Sequence, residues 1–211
     1  MTRCVIIGGA GISRYDRIIR FLREDNFCVF CDSGLRHLPF LQAEPGLIVG
    51  DFDSHEKPDT ETEIIELPRE KDDTDTFYAV KEAIRRGYDD FLLTGVTGER
   101  MDHTLANLSI LLYLDTAGKK ARILDDRSEM SIISRNEAEV SGCAYFSLLA
   151  VGGPARGIRI TGAKYPLEDG MITGDFQYGV SNEVLPGETA RISVREGRLL
   201  LVKVFGDDPT A

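Results

Sequence analysis

The stretch Ile48-Val49-Gly50-Asp51-Phe52-Asp53-Ser54 passes from apolar to acidic within a few residues. Ile48 and Val49 suit a packed strand. Asp51 and Asp53 then follow two apart, a spacing at which an extended chain points both side chains the same way. Two carboxylates aimed at one place repel each other unless a cation stands between them. From Asp51 through Asp75 there are eleven acidic residues, against Lys57, Arg69 and Lys71. Glu56, Asp59, Glu61 and Glu63 read as a solvated loop and strand edge, whereas Asp51 and Asp53 directly follow a buried strand.

A second acidic pair, Asp72 and Asp75 in Lys-Asp-Asp-Thr-Asp-Thr (71–76), is expected at the start of a helix, where a spacing of three projects both from one face. An aspartate at a turn or helix N-terminus is favourable in its own right. That accounts for one of them and poorly for four that converge. Hard oxygen donors of this kind suit magnesium, which is usually held by one or two carboxylates plus substrate phosphates.

The third stretch, Thr94 to Leu108, ends a strand at Thr94-Gly95, bends at Gly98 and opens a helix near Asp102. Glycine-rich turns and helix N-termini offer backbone N–H groups to anions, and Arg100 adds a planar fork of donors suited to phosphate oxygens. His103 fits a helix start or a packing role as well as a catalytic one. No Gly-Lys-Ser/Thr is present, so the loop is not a Walker A sequence.

The elements that must position these groups alternate. Strand-like Cys-Val-Ile-Ile is followed by Gly8, Gly9, Gly11 and the helical Tyr-Asp-Arg-Ile-Ile-Arg-Phe-Leu-Arg-Glu; Phe27–Cys31 and 47–50 are further strands. A helix is predicted over 73–87 with Phe77, Val80 and Ile84 on one side, then a strand at 91–95. A helix at 102–114 is expected to bury Leu105, Leu108 and Leu112, before a last strand at 121–126. Such alternation implies a mostly parallel sheet flanked by helices. From about residue 128 the helical period fades, and short strands separated by Gly or Asn imply a small antiparallel, β-sandwich-like domain. Within it 190–205 reads as a hairpin turning at Glu196-Gly197. The expected division is 1–127, an α/β domain binding nucleotide and magnesium, and 128–211, a β domain, with 206–211 a loose tail.

Bulk properties narrow the class. The chain has 211 residues, 42% hydrophobic and 28% charged, enough apolar mass for a core. A formal net charge of −10 argues against a nucleic-acid partner. No apolar run approaches the roughly 20 residues that span a bilayer, and the N-terminus is too short in apolar residues for a secretory signal. The expectation is a cytoplasmic protein with no membrane contact. Cys4, Cys28, Cys31 and Cys143 fit reduced core positions, since no second pair accompanies Cys28 and Cys31.

At these residues the sequence resembles the thiamine pyrophosphokinases. The resemblance is carried by Cys-Asp-Ser-Gly (31–34), Gly-Asp-Phe-Asp-Ser (50–54), 71–76, Gly95 to Leu108, Gly-Ala-Lys-Tyr-Pro-Leu (162–167) and Gly-Val-Ser-Asn-Glu (179–183), in order across nearly the whole chain. It implies transfer of the pyrophosphoryl group of ATP to the hydroxyethyl oxygen of thiamine, with release of AMP, by a Mg2+-dependent homodimer that binds thiamine where subunits meet. It implies that Asp51, Asp53 and Asp75 are the magnesium-associated carboxylates, with Asp72 the neighbouring acid and Arg100 acting on the phosphates. Asp32, Gly98, Arg100, Asp102 and His103 fall on the ATP side, and Tyr165, Ser181 and Asn182 on the thiamine side. Two departures stand out: Ser33 where the family often has Gly, and Glu99 in place of a frequent Gly beside the phosphate loop. Rival readings are a pyrophosphokinase acting on a pterin alcohol and a non-catalytic thiamine or nucleotide sensor.

Overall fold

The structure is a computed structural model describing residues 2–53, 56–70, 72–135 and 137–206. Ser54 and Lys71 of the acidic motifs, and residues 207–211 of the expected tail, lie outside the described residues. The chain divides into two compact units, Met1–Asp126 and Arg127–Ala211.

The first unit runs β1 (Cys4–Ile7), α1 (Tyr15–Ile19), β2 (Phe27–Cys31), a 3₁₀ turn (Asp32–His37) continuing into α2 (Leu38–Leu41), β3 (Pro45–Gly50), β4 (Ile64–Glu66), α3 (Asp75–Arg85), β5 (Asp90–Thr94), α4 (Met101–Thr116) and β6 (Lys120–Leu124). Every pairing is parallel, in the order β4-β3-β2-β1-β5-β6, with Ile6 opposite Val29 on one side and Leu93 on the other. All four residues of β1 are buried, because helices cover both faces of a parallel sheet and leave no polar side to alternate with. Between β1 and β5 the strand order reverses direction. Loops leaving the carboxyl ends of these two strands part there, opening a crevice suited to a ligand.

Two helices carry site residues, and their rotation matters. Helix α3 starts at an N-cap, Thr74, whose Oγ1 accepts the Phe77 N–H at 3.2 Å; it packs against β1, β2 and β3. Helix α4 packs against β6 and buries Asn107, Ile110, Leu111 and Leu114, while Leu105 is 58% exposed. The expected stripe of Leu105, Leu108 and Leu112 is therefore not the buried one. The helix is apolar nearly all round, so its period selects no face. The choice is made by Asn107, whose buried Nδ2 donates to the Val96 carbonyl at 2.7 Å.

The second unit contains β7 (Ser128–Ile133), β8 (Ala138–Val140), β9 (Tyr145–Ala150), β10 (Ala155–Thr161), β11 (Leu167–Ile172), β12 (Ala190–Ser193) and β13 (Leu199–Val204). Strand β13 pairs antiparallel with β7 and β9, and a separate antiparallel sheet has the order β11-β10-β12-β8. One apolar cluster joins the two sheets: Phe146, Leu148, Leu199 and Leu201 from the first meet Ile158, Ile160, Ile172 and Ile192 from the second. This is a sandwich. The expected hairpin at 190–205 does not form, because β12 and β13 belong to opposite sheets. Glu196 instead donates its N–H to the Arg156 carbonyl, and the chain crosses the end of the sandwich. Alternation marked both strands but carried no information about their partners.

Leu93 sits fully buried in β5, between β1 and β6. Leu93→Ala is expected to lower the unfolding free energy by about 3 kcal/mol, the usual cost of a cavity in a dense core, as read from the urea midpoint at constant m-value.

Candidate active site

At the carboxyl ends of the parallel strands lies a cleft of about 470 Å³. Its walls come from five places: the glycine loop after β1, the 3₁₀ turn after β2, the segment after β3, the start of α3, and the β5–α4 turn. Of the expected residues, Asp32, Asp51, Asp53, Asp75, Gly98, Arg100 and His103 all line it.

Three carboxylates form its acidic centre. Asp32, Asp51 and Asp75 each bring an oxygen within 4.8 Å of the others. Asp32 opens the 3₁₀ turn and is only 4% exposed, Asp51 follows the last residue of β3, and Asp75 begins α3. Gly50 makes the approach possible, since a Cβ on it would lie 2.7 Å from the Cβ of Asp32. Three like charges at this spacing, one of them buried, repel one another, and a cation bound among them lowers that cost. The donor set is all oxygen and matches Mg2+ better than a soft metal.

The group differs from the expected Asp51, Asp53 and Asp75. Phe52 has φ +54°, so the chain leaves the extended conformation immediately after Asp51. The two-residue alternation that would align Asp51 with Asp53 is thereby lost. Asp53 donates its own N–H to Asp51 Oδ1 at 3.4 Å and faces the cleft apart from the trio. Asp32, expected on the ATP side, takes its place in the cluster. Asp72 also departs from expectation. It precedes the N-cap Thr74, outside α3, so the helical spacing to Asp75 does not apply, and it lines a smaller cavity of about 170 Å³ with Phe77, Ala106 and Ile110.

The side of the cleft across from the carboxylates is built largely from backbone. Gly8 and Gly95 close the base of the cleft: Gly8 donates to the Thr94 carbonyl at 2.9 Å and Ala10 to the Gly95 carbonyl at 2.8 Å. A Cβ on either glycine would come within 2.5 Å of the other's carbonyl oxygen. The Gly98 N–H is taken by Thr104 Oγ1 at 3.1 Å, which ties the turn to α4. Arg100 is exposed and forks onto Asp102, with contacts of 3.2 and 2.5 Å. That guanidinium, helped by the His103 N–H, holds the Asp102 carboxyl down to about 2. Asp102 is absent from the cleft wall; it holds Arg100. Ser33, noted above as a departure from the family pattern, also lines the cleft, as do Asn107 and Arg36, which were not singled out from sequence. Asn107 looked like one polar interruption of an apolar helix, and only its bond to Val96 reveals its use.

Behind the glycine loop, His37 is buried between Tyr15 and Ala10. The Ala10 carbonyl can only accept, so Nε2 carries the proton (3.0 Å), and Nδ1 accepts from the Tyr15 hydroxyl at 2.8 Å. Desolvation pushes the imidazole pKa below its ordinary 6.5, with Arg36 acting in the same direction and Glu99 and Asp126 opposing it.

In the second unit Asn182 is buried at 5% exposure. Its side chain brackets Tyr165, accepting the Tyr165 N–H at 3.0 Å and donating to the Tyr165 carbonyl at 2.8 Å. Both faces of its amide are thus used on backbone, so it positions Tyr165 rather than presenting its own polar group. Ser181, at φ +58°, is exposed, and the Tyr165 ring is 60% exposed.

Residues 18–123 match the family model described as "Thiamin pyrophosphokinase, catalytic domain", and residues 130–199 match "Thiamin pyrophosphokinase, vitamin B1 binding domain". The chain belongs to the thiamin pyrophosphokinase family. Members of that family are transferases that move a diphosphate group. A thiamine pyrophosphokinase of Bacillus subtilis (strain 168) is 27% identical over 137 residues, which is 64% of this chain and 64% of that protein. The crystal structure of thiamin pyrophosphokinase from Geobacillus thermodenitrificans superposes with a TM-score of 0.83 at 25% identity, covering both chains fully. That of Bacillus subtilis gives 0.86 at 22% identity over 97% of this chain and 100% of that one, a likeness of fold. The Candida albicans enzyme retains the fold at 14% identity, with a TM-score of 0.79 over 97% and 89% of the two chains.

Two outcomes test the site as built. Gly50→Ala must displace Asp32, so Mn2+ or Mg2+ affinity should fall by about 10- to 100-fold by calorimetry, with the fold retained. A base with a depressed folded-state pKa binds fewer protons folded than unfolded near its ordinary value. Its contribution to stability is therefore full above about pH 6.5 and lost as the pH falls below it. The urea midpoint should drop between pH 7.5 and 5.5 more in the wild-type chain than in His37→Gln.

Proposed function

We propose that this chain transfers the pyrophosphoryl group of ATP to the hydroxyethyl oxygen of thiamine, giving thiamine diphosphate and AMP. The observation that carries this reading is the carboxylate trio of Asp32, Asp51 and Asp75 in a cleft at the switch point of the catalytic-domain match. The vitamin B1 binding domain match over 130–199 supports thiamine as the acceptor.

In the reaction the hydroxyl oxygen of thiamine attacks the β-phosphorus. The bond between that phosphorus and the α–β bridging oxygen breaks, and AMP leaves with the oxygen. Charge is the main obstacle, since a polyanion must accept a nucleophile and release an anion. Asp32, Asp51 and Asp75 would hold Mg2+, which supplies charge neutralisation to the phosphate oxygens. Asp53, beside the trio and open to the cleft, accepts the hydroxyl proton. Arg100 exchanges its bond to Asp102 for the phosphates, a change of partner between two anions. Tyr165, held at its backbone by Asn182, and the exposed Ser181 serve the thiamine side. The acidic cleft also favours the cationic thiazolium ring. We assign the working unit as a homodimer in the cytoplasm, without a nucleic-acid or membrane partner. The net charge of −10 and four free cysteines support that placement. In the described residues no helix is long and apolar enough to cross a membrane.

The test is incubation with ATP, Mg2+ and thiamine, following AMP and thiamine diphosphate together. Wild-type chain should form both in equal amounts. Asp51→Asn should reduce the rate by about a hundredfold or more with unchanged circular dichroism. Near-normal turnover in that variant would remove the trio from the mechanism.

A further inference from the structure

Glu99 has a backbone and a side chain that the transfer reaction does not explain. It holds φ +49°, in the left-handed region that residues with a Cβ rarely adopt. Its Oε1 accepts the Gly11 N–H at 3.1 Å. The two residues belong to the loops that follow β5 and β1, the strands on either side of the switch point, so this one bond spans the mouth of the crevice. Gly11 presents bare backbone, and a Cβ there would lie 3.0 Å from the carboxylate oxygen. The neighbouring donors Gly8 and Ala10 are already committed to the Thr94 and Gly95 carbonyls. Gly11 thus donates to the Glu99 carboxylate, while Ser13 and Arg14, farther along the same loop, donate to Asp126.

A carboxylate on a backbone N–H of a glycine loop makes the same interaction as a phosphate oxygen. We propose that Glu99 is an internal anion that occupies the β1 loop in the nucleotide-free protein and must be displaced by the triphosphate, making it the residue that sets nucleotide affinity. The proposal rests on the reading of the cleft as a triphosphate site. Glu99 weakens nucleotide binding in two ways. Its bond to Gly11 competes for a donor, and its charge repels the incoming polyanion. Asp102 does the same for Arg100, so the cleft's main cationic donor and this loop donor are both held by its own carboxylates.

The experiment compares wild type with Glu99→Gln and Glu99→Gly, using calorimetric binding of a non-hydrolysable ATP analogue with Mg2+ at low and high salt, alongside KM values for ATP and thiamine. Glu99→Gln removes the charge and retains an acceptor, and Glu99→Gly removes both and suits the left-handed backbone. Both should bind the analogue more tightly, by about fivefold at low ionic strength, with the gain shrinking at high salt. KM for ATP should fall in parallel while KM for thiamine stays constant. Equal or weaker analogue binding by both variants overturns the proposal. A wild-type chain that binds the analogue with this Glu99 dependence but forms no AMP overturns the proposed activity and leaves the role of Glu99 standing. One that binds no nucleotide overturns both.

Discussion

Three carboxylates held within 4.8 Å of one another set the terms for the rest of the first unit. Their repulsion opposes folding, so each must be carried by an element that the core fixes independently. Asp32 is fixed by β2 and the 3₁₀ turn, Asp51 by β3, and Asp75 by the Thr74 cap of α3. The parallel sheet supplies rigidity, because all strand ends lie on one edge and the central strands β1, β2 and β5 are buried. Gly50 supplies proximity by removing the one methyl group that would keep β3 and Asp32 apart. On the proposed reading, a divalent cation bound among these groups would couple metal binding to local order.

The other half of the cleft solves the opposite problem. Backbone donors and an arginine, waiting for an anion, are occupied by side chains of the same turn. Arg100 rests on Asp102, Gly98 on Thr104 and Gly11 on Glu99. On the proposed reading, nucleotide binding is an exchange of acceptors rather than the capture of exposed donors.

Much of this organisation was legible in the residues. Strand–helix alternation gave the parallel sheet, the loss of helical period near residue 128 fits the change to an antiparallel sandwich, and Asp51 and Asp75 of the acidic motifs meet at the carboxyl edge of the sheet. Details that depend on single dihedrals or on distant partners were not legible. Positive φ at Phe52 separates Asp53 from Asp51, and nothing in the local composition signals it. Asp32 joins the trio from the 3₁₀ turn after β2, nineteen residues before Asp51, in a motif that read as nucleotide contact. The rotation of α4 was hidden because its sequence is apolar on every side, and the Asn107 tether decides it. In the second unit, alternation marks β12 and β13 correctly as strands while leaving their sheet assignment to tertiary packing. Asn182 illustrates a related limit of motifs: the residue matches the thiamine-side pattern, yet its amide is spent bracing Tyr165.

The sulfur atoms follow from the same buried sheet. Cys4, Cys28 and Cys31 lie in β1 and β2, and burial raises the thiols of Cys4 and Cys28, the latter to about 11. Cys31 lines the cleft; thiolate is the nucleophilic form, so buried Cys4 and Cys28 resist alkylation while the central strands stay paired. Any alkylating reagent that reaches them must first wait for those strands to separate, which makes their modification a clock for global opening of the first unit.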